Sequence, residues 1–331
     1  MRPSAPREGA AYVQTVTGAV PPDTLGITYT HEHILCDQRR CRSDGLRPRG
    51  NDGGLMILDD EATAIRELAD LKSVGADAVV EVTMQAWGRD VVGLRRISEA
   101  TGLRIIATSG FYVEQCHPAF VTEKTIDELA EGIVTELTDG VDASGIRTGL
   151  IKASVSRPAV EGPEEKCARA VARAQRATGA AITTHTSASA RFEIPGGNAG
   201  MAFLDLFESE GVDPRRVIVG HTDENADIRN LEALCRRGAY VQFDVIGKSH
   251  WMLDATRADL ALDLVARGFA DHLLLSTDRN RKFELKSHGG IGYAHLLTRF
   301  VPLLRDRGLP EAIIRKILVE NPSRALAIHP R

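Results

Sequence analysis

Residues 149–187 read GLIKASVSRPAVEGPEEKCARAVARAQRATGAAITTHTS, in which two short apolar runs flank a longer segment. The runs GLIKASVS (149–156) and AAITTHTS (180–187) are typical of buried strands. The segment between them, EEKCARAVARAQRATGA (164–180), has the pattern of an amphipathic helix, and Gly179 stands where a helix C-cap belongs. A strand, a helix and a strand in this order predict parallel pairing through a right-handed crossover.

The same unit recurs along the chain, which predicts an α/β fold. Six further strand candidates are ITYTHEHI (27–34), DAVVEVTM (77–84), RIIATSGF (104–111), RVIVGHTD (216–223), YVQFDVI (240–246) and HLLLSTDR (272–279), and a second helical segment is DDEATAIRELADLKSVGA (59–76). Eight such strands predict a (β/α)8 TIM barrel, preceded by a short N-terminal β extension over Tyr12 to Val20. A doubly wound open sheet is the alternative, but no G-x-G-x-x-G motif follows the first strand.

Length and composition restrict the class of protein. The 331 residues allow two domains, but no Pro/Gly/Ser-rich tract divides them, so we expect a single barrel domain over residues 1–331. The net charge of −4 indicates no nucleic-acid or membrane partner. Five scattered cysteines without a C-x-x-C motif, and no apolar leader, favour a cytoplasmic protein with reduced thiols. We expect its partner to be a small-molecule substrate.

Polar side chains follow the predicted strands where a barrel would carry its active site. The first strand ends in His31-Glu32-His33, and the two-residue period of a strand turns both histidines to one side. The other strand ends carry Lys152, His185, His221 and Asp278. Each has a structural alternative: a lone histidine is often structural, and Asp278 could cap a helix. Together, imidazole, carboxylate and lysine groups predict a site for divalent metal such as zinc.

Five of these motifs resemble those of the phosphotriesterase family in the amidohydrolase superfamily. They are THEH (30–33), LIKAS (150–154), TTHT (183–186), GHTDEN (220–225) and LLSTD (274–278). The resemblance extends from about Val13 to Pro322 with the motifs in the same order. Within the family, FDVIGKSH (243–250) and GGIGYAHLL (289–297) are most similar to the phosphotriesterase homology proteins.

The resemblance implies a centre of two divalent metal ions per chain, zinc first, with Mn, Co or Fe as alternatives. His31, His33 and Asp278 would hold the more buried ion, and His185 and His221 the more exposed one. Lys152 would react with CO2, and the resulting carbamate would bridge the two ions. A metal-bridging hydroxide would attack the substrate, and Asp278 would take the proton as the catalytic residue. Members of the family often form homodimers.

The chain departs from the organophosphate-degrading members at two strand ends. They carry an Asp-His pair after the seventh strand, where this chain has Asp244 and Val245, and an aspartate where this chain has Glu224. Both changes argue against triester hydrolysis as the native role. The predicted substrate-binding residues are Tyr112, which can form one wall of the pocket, together with Glu224, Asp244, Lys248, Arg279, Arg281 and Lys282. The four cations predict a clamp for an anionic group; the alternative is a solvated loop.

Four functions are compatible with these features. The leading hypothesis is hydrolysis of a lactone or other carboxyl ester, such as a phosphorylated sugar lactone, with promiscuous phosphotriesterase activity. The same centre would suit an amide hydrolase of N-acyl amino acids, or a true organophosphate hydrolase. The non-enzyme alternative is a ligand-binding barrel without turnover.

Overall fold

The computed structural model describes residues 9–40, 55–186, 199–224 and 227–329. Its strands are, in chain order, β1 (Val13–Thr15), β2 (Gly18–Val20), β3 (Thr28–Glu32), β4 (Cys36–Asp37), β5 (Ile57–Leu58), β6 (Ala78–Glu81), β7 (Arg104–Gly110), β8 (Leu150–Ser154), β9 (Ala181–His185), β10 (Val217–Val219), β11 (Tyr240–Phe243) and β12 (Leu273–Leu275). All eight predicted strands are present, each within its predicted range.

The eight strands β3 and β6–β12 form one parallel sheet in their order along the chain. Its two end strands meet, because the His31 N–H donates to the Ser276 hydroxyl (2.9 Å) and the Asp278 N–H donates to the His31 carbonyl (3.1 Å). The sheet is thus a barrel whose seam lies between β3 and β12. This confirms the TIM barrel and not the doubly wound alternative.

The N-terminal extension closes one end of the barrel. It is a hairpin of β1 and β2 and not a single strand, with Val13 opposite Val20. Both valines belong to an interior apolar cluster with Leu326 near the C-terminus and with residues from the strands, among them Val80, Ile106, Leu150, Ile218 and Leu274. Apolar packing fills this end, and the polar groups that the sequence analysis selected lie at the C-terminal ends of the strands.

Helices cover the outside of the barrel. They are α1 (Glu61–Ser73), α2 (Val91–Thr101), α3 (Phe120–Glu123), α4 (Ile126–Thr138), α5 (Gly162–Thr178), α6 (Ala199–Ser209), α7 (Ile228–Arg236), α8 (Asp254–Ala266), α9 (Val301–Asp306), α10 (Glu311–Arg315) and α11 (Asn321–Leu326), and π-helical turns at Leu296–Phe300 and Lys316–Glu320 run into α9 and α11. Local signals set several ends. Asp60 accepts from the Ala62 N–H at the start of α1, and Gly179 ends α5 at φ 75°.

Two expectations about the cell environment can be compared with the fold. Among the described residues, no helix is long and apolar enough to cross a membrane. Cys36, Cys167 and Cys235 are free, buried thiols, as expected, whereas Cys116 is disulfide-bonded, which the expectation of reduced thiols did not anticipate.

Candidate metal centre

The predicted metal ligands meet at the C-terminal ends of the barrel strands. His31 belongs to β3 and His33 follows it, Lys152 lies in β8, and His185 ends β9. The remaining two lie just beyond β10 and β12. All are buried except His185, which is half-buried: His31, His33, Lys152, His185, His221 and Asp278. Six ligand-type groups from five strands therefore share one small volume.

His31, His33 and Asp278 form the deeper part of this centre. The Oδ1 atom of Asp278 lies 3.5 Å from the Nε2 atom of His33 and 3.8 Å from that of His31. Ligand atoms of the three residues lie within 4.8 Å of one another. The Nε2 atom of His31 is buried and has no hydrogen-bond partner among the described residues. A buried imidazole nitrogen that has no hydrogen-bond partner and faces a carboxylate is what a metal ligand would look like before the metal is bound.

His185 and His221 form the second part. The Nδ1 atom of His185 lies 2.7 Å from the Nε2 atom of His221, so two imidazole nitrogens face each other. The Nε2 atom of His185 lies 3.2 Å from the Tyr112 hydroxyl. Tyr112 in turn packs against Trp87, with ring centroids 4.7 Å apart. The histidine pair thus lies beside an aromatic wall formed by Tyr112 and Trp87.

Asp244 orients rings from both parts. Its carboxylate lies 2.7 Å from the Nδ1 atom of His221 and 3.1 Å from that of His31, and its side chain is fully buried. A carboxylate at the Nδ1 atom leaves Nε2 available as a ligand, which is a common arrangement behind metal-binding histidines. His31, His221 and Asp244 also bring ligand atoms within 4.8 Å. The hydrogen bonds assign Asp244 to positioning, although the sequence suggested a substrate contact.

His33 is oriented by two residues that the sequence analysis did not select. Its Nδ1 atom lies 2.6 Å from the Thr83 hydroxyl. The buried Glu81 carboxylate accepts from the N–H groups of Thr83 (3.1 Å) and Ile34 (3.3 Å), and so holds both sides of this contact. Thr83 lies just after β6, so the same strand-end rule that selected the ligands could have found it.

Lys152 is a buried cation without an ion pair among the described residues. Its ammonium donates to the Val82 carbonyl at 3.5 Å and lies 5.5 Å from the centroid of the Tyr112 ring. Burial lowers its pKa to about 8. Gly110 gives this strand room, because a Cβ atom there would lie 2.2 Å from the Lys152 carbonyl oxygen and the Gly110 φ is +109°.

The site keeps most of its imidazoles neutral. Burial lowers the pKa of His31, and it lowers those of His33 and His185 well below the usual value, so each has a lone pair available at neutral pH. Burial also opposes a charge on His221, but the adjacent Asp244 outweighs it and raises the pKa to about 9. Burial would raise the pKa of Asp278, yet nearby positive groups, Lys248 first, hold it well below the usual range.

The backbone is unusual at two of the predicted ligands. His221 has φ 56° and Asp278 has φ 48°, in the left-handed region that non-glycine residues rarely occupy. Such conformations are found where the surroundings hold a functional side chain in place. Each residue follows the end of a short strand, so the turn redirects the chain and leaves the side chain over the barrel.

The predicted substrate-binding cations do not all face the centre. Lys248 does, because its ammonium lies 2.7 Å from the Oδ2 atom of Asp278. Arg279 does not: it is buried, and its guanidinium donates to the carbonyls of Ile246 (2.7 Å) and Gly292 (3.3 Å). Its position does not support the predicted substrate contact, because it is committed to joining two loops.

The other predicted contacts lie towards the rim. Lys282 makes a partly exposed ion pair with Asp59 (3.4 Å). Arg281 is half-buried, and no ion pair of its guanidinium occurs within the described ranges. Glu224 is half-buried beside the ligand His221, whose carbonyl accepts from the Glu224 N–H (3.3 Å).

A buried ion pair supports the loop after β11. The Nε atom of Arg257 lies 2.7 Å from the Asp223 carboxylate, and both side chains are fully buried. Asp223 also accepts from the Asp244 N–H (3.0 Å), and Arg257 donates to the Lys248 carbonyl (3.3 Å). The sequence analysis missed this pair, because 34 positions separate the partners and no local pattern connects them.

Comparison with known proteins agrees with this geometry. The sequence model of the phosphotriesterase family matches residues 11–326. The phosphotriesterase homology protein of Escherichia coli is 34% identical over 302 residues, which cover 91% of this chain and 98% of that protein. An N-acetyltaurine hydrolase of Rattus norvegicus is 32% identical over 95% of this chain and 97% of its own length.

Two crystal structures share the fold closely. That of the E. coli phosphotriesterase homology protein, complexed with phosphate in its active site, superposes with a TM-score of 0.84 over 92% of this chain and 99% of its own. A lactonase from Listeria monocytogenes superposes with a TM-score of 0.85 at 27% identity, over 95% of this chain and 98% of its own.

Proposed function

Because this chain belongs to the phosphotriesterase family, we propose that it is a binuclear metal-dependent hydrolase of a lactone or other carboxyl ester. The observation that carries the proposal is the convergence of four histidines, Asp278 and Lys152 at one barrel mouth. Hydrolases of this family typically use two metal ions, and the donor set here is what borderline divalent ions such as zinc prefer.

The ligand roles follow from which atoms are available. His31 and His33 offer Nε2 atoms to one ion together with Asp278, while His185 offers Nδ1 and His221 offers Nε2 to the other. Lys152 is the proposed bridge, carboxylated by CO2. A carbamate would replace a poorly stabilised buried cation by an anion between two cations. Two divalent ions, when bound, would lower the pKa of a water molecule and act as a Lewis acid towards the substrate carbonyl.

The residues of the chain supply the remaining functions. Asp278 is held as a carboxylate, because nearby positive groups, Lys248 first, outweigh the effect of burial on its pKa, so it can accept a proton during the reaction. Tyr112 and Trp87 form an aromatic wall beside His185, which limits water access and packs the apolar part of a substrate. Asp244 and Thr83 hold the histidine rings in the required tautomers.

An anionic substrate is favoured by Arg281, whose guanidinium makes no ion pair among the described residues. Lys248 already pairs with Asp278 (2.7 Å) and Glu284 (3.5 Å), and Arg279 is committed to backbone carbonyls. The E. coli relative holds phosphate in its active site, and another relative is a lactonase. A phosphorylated sugar lactone combines both features. The second candidate is amide hydrolysis of an N-acyl amino acid or N-acyl sulfonate, because N-acetyltaurine hydrolases are among the relatives. Weak phosphotriesterase activity is expected as a side reaction.

The proposal is tested by metal analysis and a substrate screen on protein loaded with Zn²⁺ or Mn²⁺. We expect about two ions per chain and turnover of lactones above paraoxon. His31→Ala should lose metal and activity, whereas His288→Ala, at an exposed histidine, should lose neither. A chain that binds no metal overturns the binuclear assignment, and turnover of N-acetyltaurine or N-acyl amino acids above all lactones establishes the second candidate. Metal binding without turnover of any class favours a ligand-binding barrel.

Recognition of the anion is tested separately by comparing phosphorylated and unphosphorylated lactones. Arg281→Ala should lower kcat/KM for the phosphorylated lactone by roughly 10- to 100-fold, the loss of one charge-assisted contact of about 1.5–3 kcal/mol. It should barely change kcat/KM for the neutral lactone. Lys282→Ala is the matched control, because that ammonium already pairs with Asp59. Equal losses for both lactones would assign Arg281 to structure.

A further inference from the structure

Glu32 lies between two proposed metal ligands but turns its side chain away from them. It is fully buried at the end of β3, and its carboxylate contacts the segment that follows β12. Its Oε1 atom accepts from the Thr277 N–H and the Thr277 hydroxyl, each at 2.7 Å. Its Oε2 atom accepts from the Arg279 N–H at 2.8 Å. The Ser276 hydroxyl lies 2.7 Å from Oε1.

These contacts enclose Asp278 on both sides. The N–H groups of the residues before and after Asp278 both point to one carboxylate, and the Asp278 N–H itself donates to the His31 carbonyl at 3.1 Å. Asp278 has φ 48°, a conformation that costs free energy unless its surroundings maintain it. The hydrogen bonds from the Thr277 and Arg279 N–H groups to one carboxylate link the two sides of this turn, and such bonds are strongest when the carboxylate is ionised.

We propose that Glu32 is a positioning residue that holds the turn at Asp278 in its left-handed conformation and so fixes the Asp278 carboxylate beside His31 and His33. The inference rests on the proposed function only for the role of Asp278 as a metal ligand. The hydrogen bonds to the turn are independent of any metal. Glu32 accepts from the backbone on both sides of Asp278, and within the described residues its carboxylate makes no hydrogen bond to a proposed ligand atom.

A purely structural role is the competing explanation, because Glu32 also crosses the seam between β3 and β12. If Glu32 only closes the seam, its substitution would affect the stability of the whole barrel and leave the turn at Asp278 unchanged in the folded protein. If Glu32 positions the turn, its substitution would loosen the turn in the folded protein and weaken metal binding. The two roles therefore differ in local amide exchange and in metal affinity, not in global stability.

The experiment compares Glu32→Gln with Thr277→Val. The glutamine keeps the shape but can present only one oxygen, so an NH2 group faces either the Arg279 N–H or the donors at Oε1. The valine removes only the Thr277 hydroxyl contact and keeps both N–H donors. Hydrogen exchange of the Thr277 and Arg279 amides in metal-free protein is measured by NMR, with Val80 in β6 as the internal reference. Cobalt(II) affinity is measured by visible spectroscopy.

We expect the Arg279 or Thr277 amide to exchange at least tenfold faster in Glu32→Gln, with Val80 unchanged, and the Co²⁺ affinity to fall roughly 10- to 100-fold. Thr277→Val should change both quantities less than about threefold. Unchanged exchange at both amides overturns the proposal, as does a uniform increase that includes Val80. If Glu32→Gln does not fold, Glu32→Asp, which withdraws the carboxylate by one methylene, should give the same contrast. A parent protein that binds no Co²⁺ contradicts the metal centre, and the exchange data still decide the role of Glu32.

Discussion

The ammonium of Lys248 lies 2.7 Å from the carboxylate of Asp278, and both side chains are buried. This ion pair connects the loop after β11 to the turn after β12. Burial alone would lower the pKa of Lys248, but Asp278 and Glu284 outweigh it and raise the pKa. Lys248 thus provides a fixed positive charge directly beside the proposed proton acceptor.

Loss of this charge should be costly in metal-free protein. Lys248→Met leaves the Asp278 carboxylate buried with less compensation, and breaking a buried pair by removing one partner typically costs about 3–5 kcal/mol. We expect urea unfolding of the metal-free variant to show a loss of this size, and a smaller loss when Zn²⁺ is bound. Lys282→Met, at a partly exposed pair, should change stability by less than about 1 kcal/mol. Equal stability of Lys248→Met and the parent without metal would contradict the prediction.

Lys152 should carry a carboxyl group when the centre is loaded. Burial lowers its pKa to about 8, so at slightly alkaline pH a sizeable fraction of the Lys152 side chains is the neutral amine. The neutral amine is the form that reacts with CO2. A crystal structure with both ions bound should show forked density beyond Nζ. Lys152→Ala should lower kcat/KM by roughly 100-fold, about 3 kcal/mol, and short carboxylic acids should restore part of it. Lys166→Ala, at a lysine that binds the Val121 carbonyl on the barrel exterior, is the control. A bare amine in metal-loaded crystals would refute the carbamate.

The stability of metal-free protein should fall between about pH 6.5 and pH 9 because of His221. Its folded pKa of about 9 exceeds the unfolded value near 6.5, so its contribution is complete below pH 6.5 and is lost as the pH rises through 9. The contribution of Asp244 to stability has the opposite pH dependence. Its pKa is held below the usual value, so its contribution is lost only in acid. Urea unfolding at pH 6.5 and pH 9 should differ by up to a few kcal/mol.

Asp244→Asn provides the control for this pH dependence. It removes the charge that raises the pKa of His221, so the part of the difference due to His221 should disappear. Other buried groups with raised pKa values, Glu32 and Glu81 near 7, contribute in the same direction and remain in both proteins. An unchanged pH dependence in Asp244→Asn would show that His221 is not the group responsible.

The Arg257–Asp223 pair should support the centre without touching it. Arg257→Leu leaves Asp223 buried without its cation and removes the donor to the Lys248 carbonyl, so we expect a loss of about 3–5 kcal/mol in unfolding free energy. Arg267→Leu, at an exposed pair with Asp263, should cost less than about 1 kcal/mol. The double variant Asp223→Leu/Arg257→Leu should recover part of the loss. This explanation would be contradicted if the double variant lost more unfolding free energy than the single variants Arg257→Leu and Asp223→Leu lose together.

The sequence alone predicted the order of the strands and selected the candidate ligands. Short apolar runs alternate with helical segments, and five of the eight runs carry a residue able to bind metal at or near their ends, so the barrel rule brings His31, His185, His221 and Asp278 to one mouth. This inference needs only local periodicity and the fact that parallel strands share one direction. The same rule applied to the end of β6 would have found Thr83.

The tertiary structure decided which of the charged residues act at the centre. Arg279 looked equivalent to Lys248 in the sequence, yet its guanidinium binds two carbonyls of adjoining loops while the Lys248 ammonium reaches Asp278. Glu32 looked like the outward partner of two histidines, yet its carboxylate holds the turn on the other side of the barrel seam. The direction of a long side chain at a strand end depends on which buried hydrogen-bond partners the neighbouring loops present. Those partners lie more than 200 residues away from Glu32 in the chain, so no local pattern could predict them.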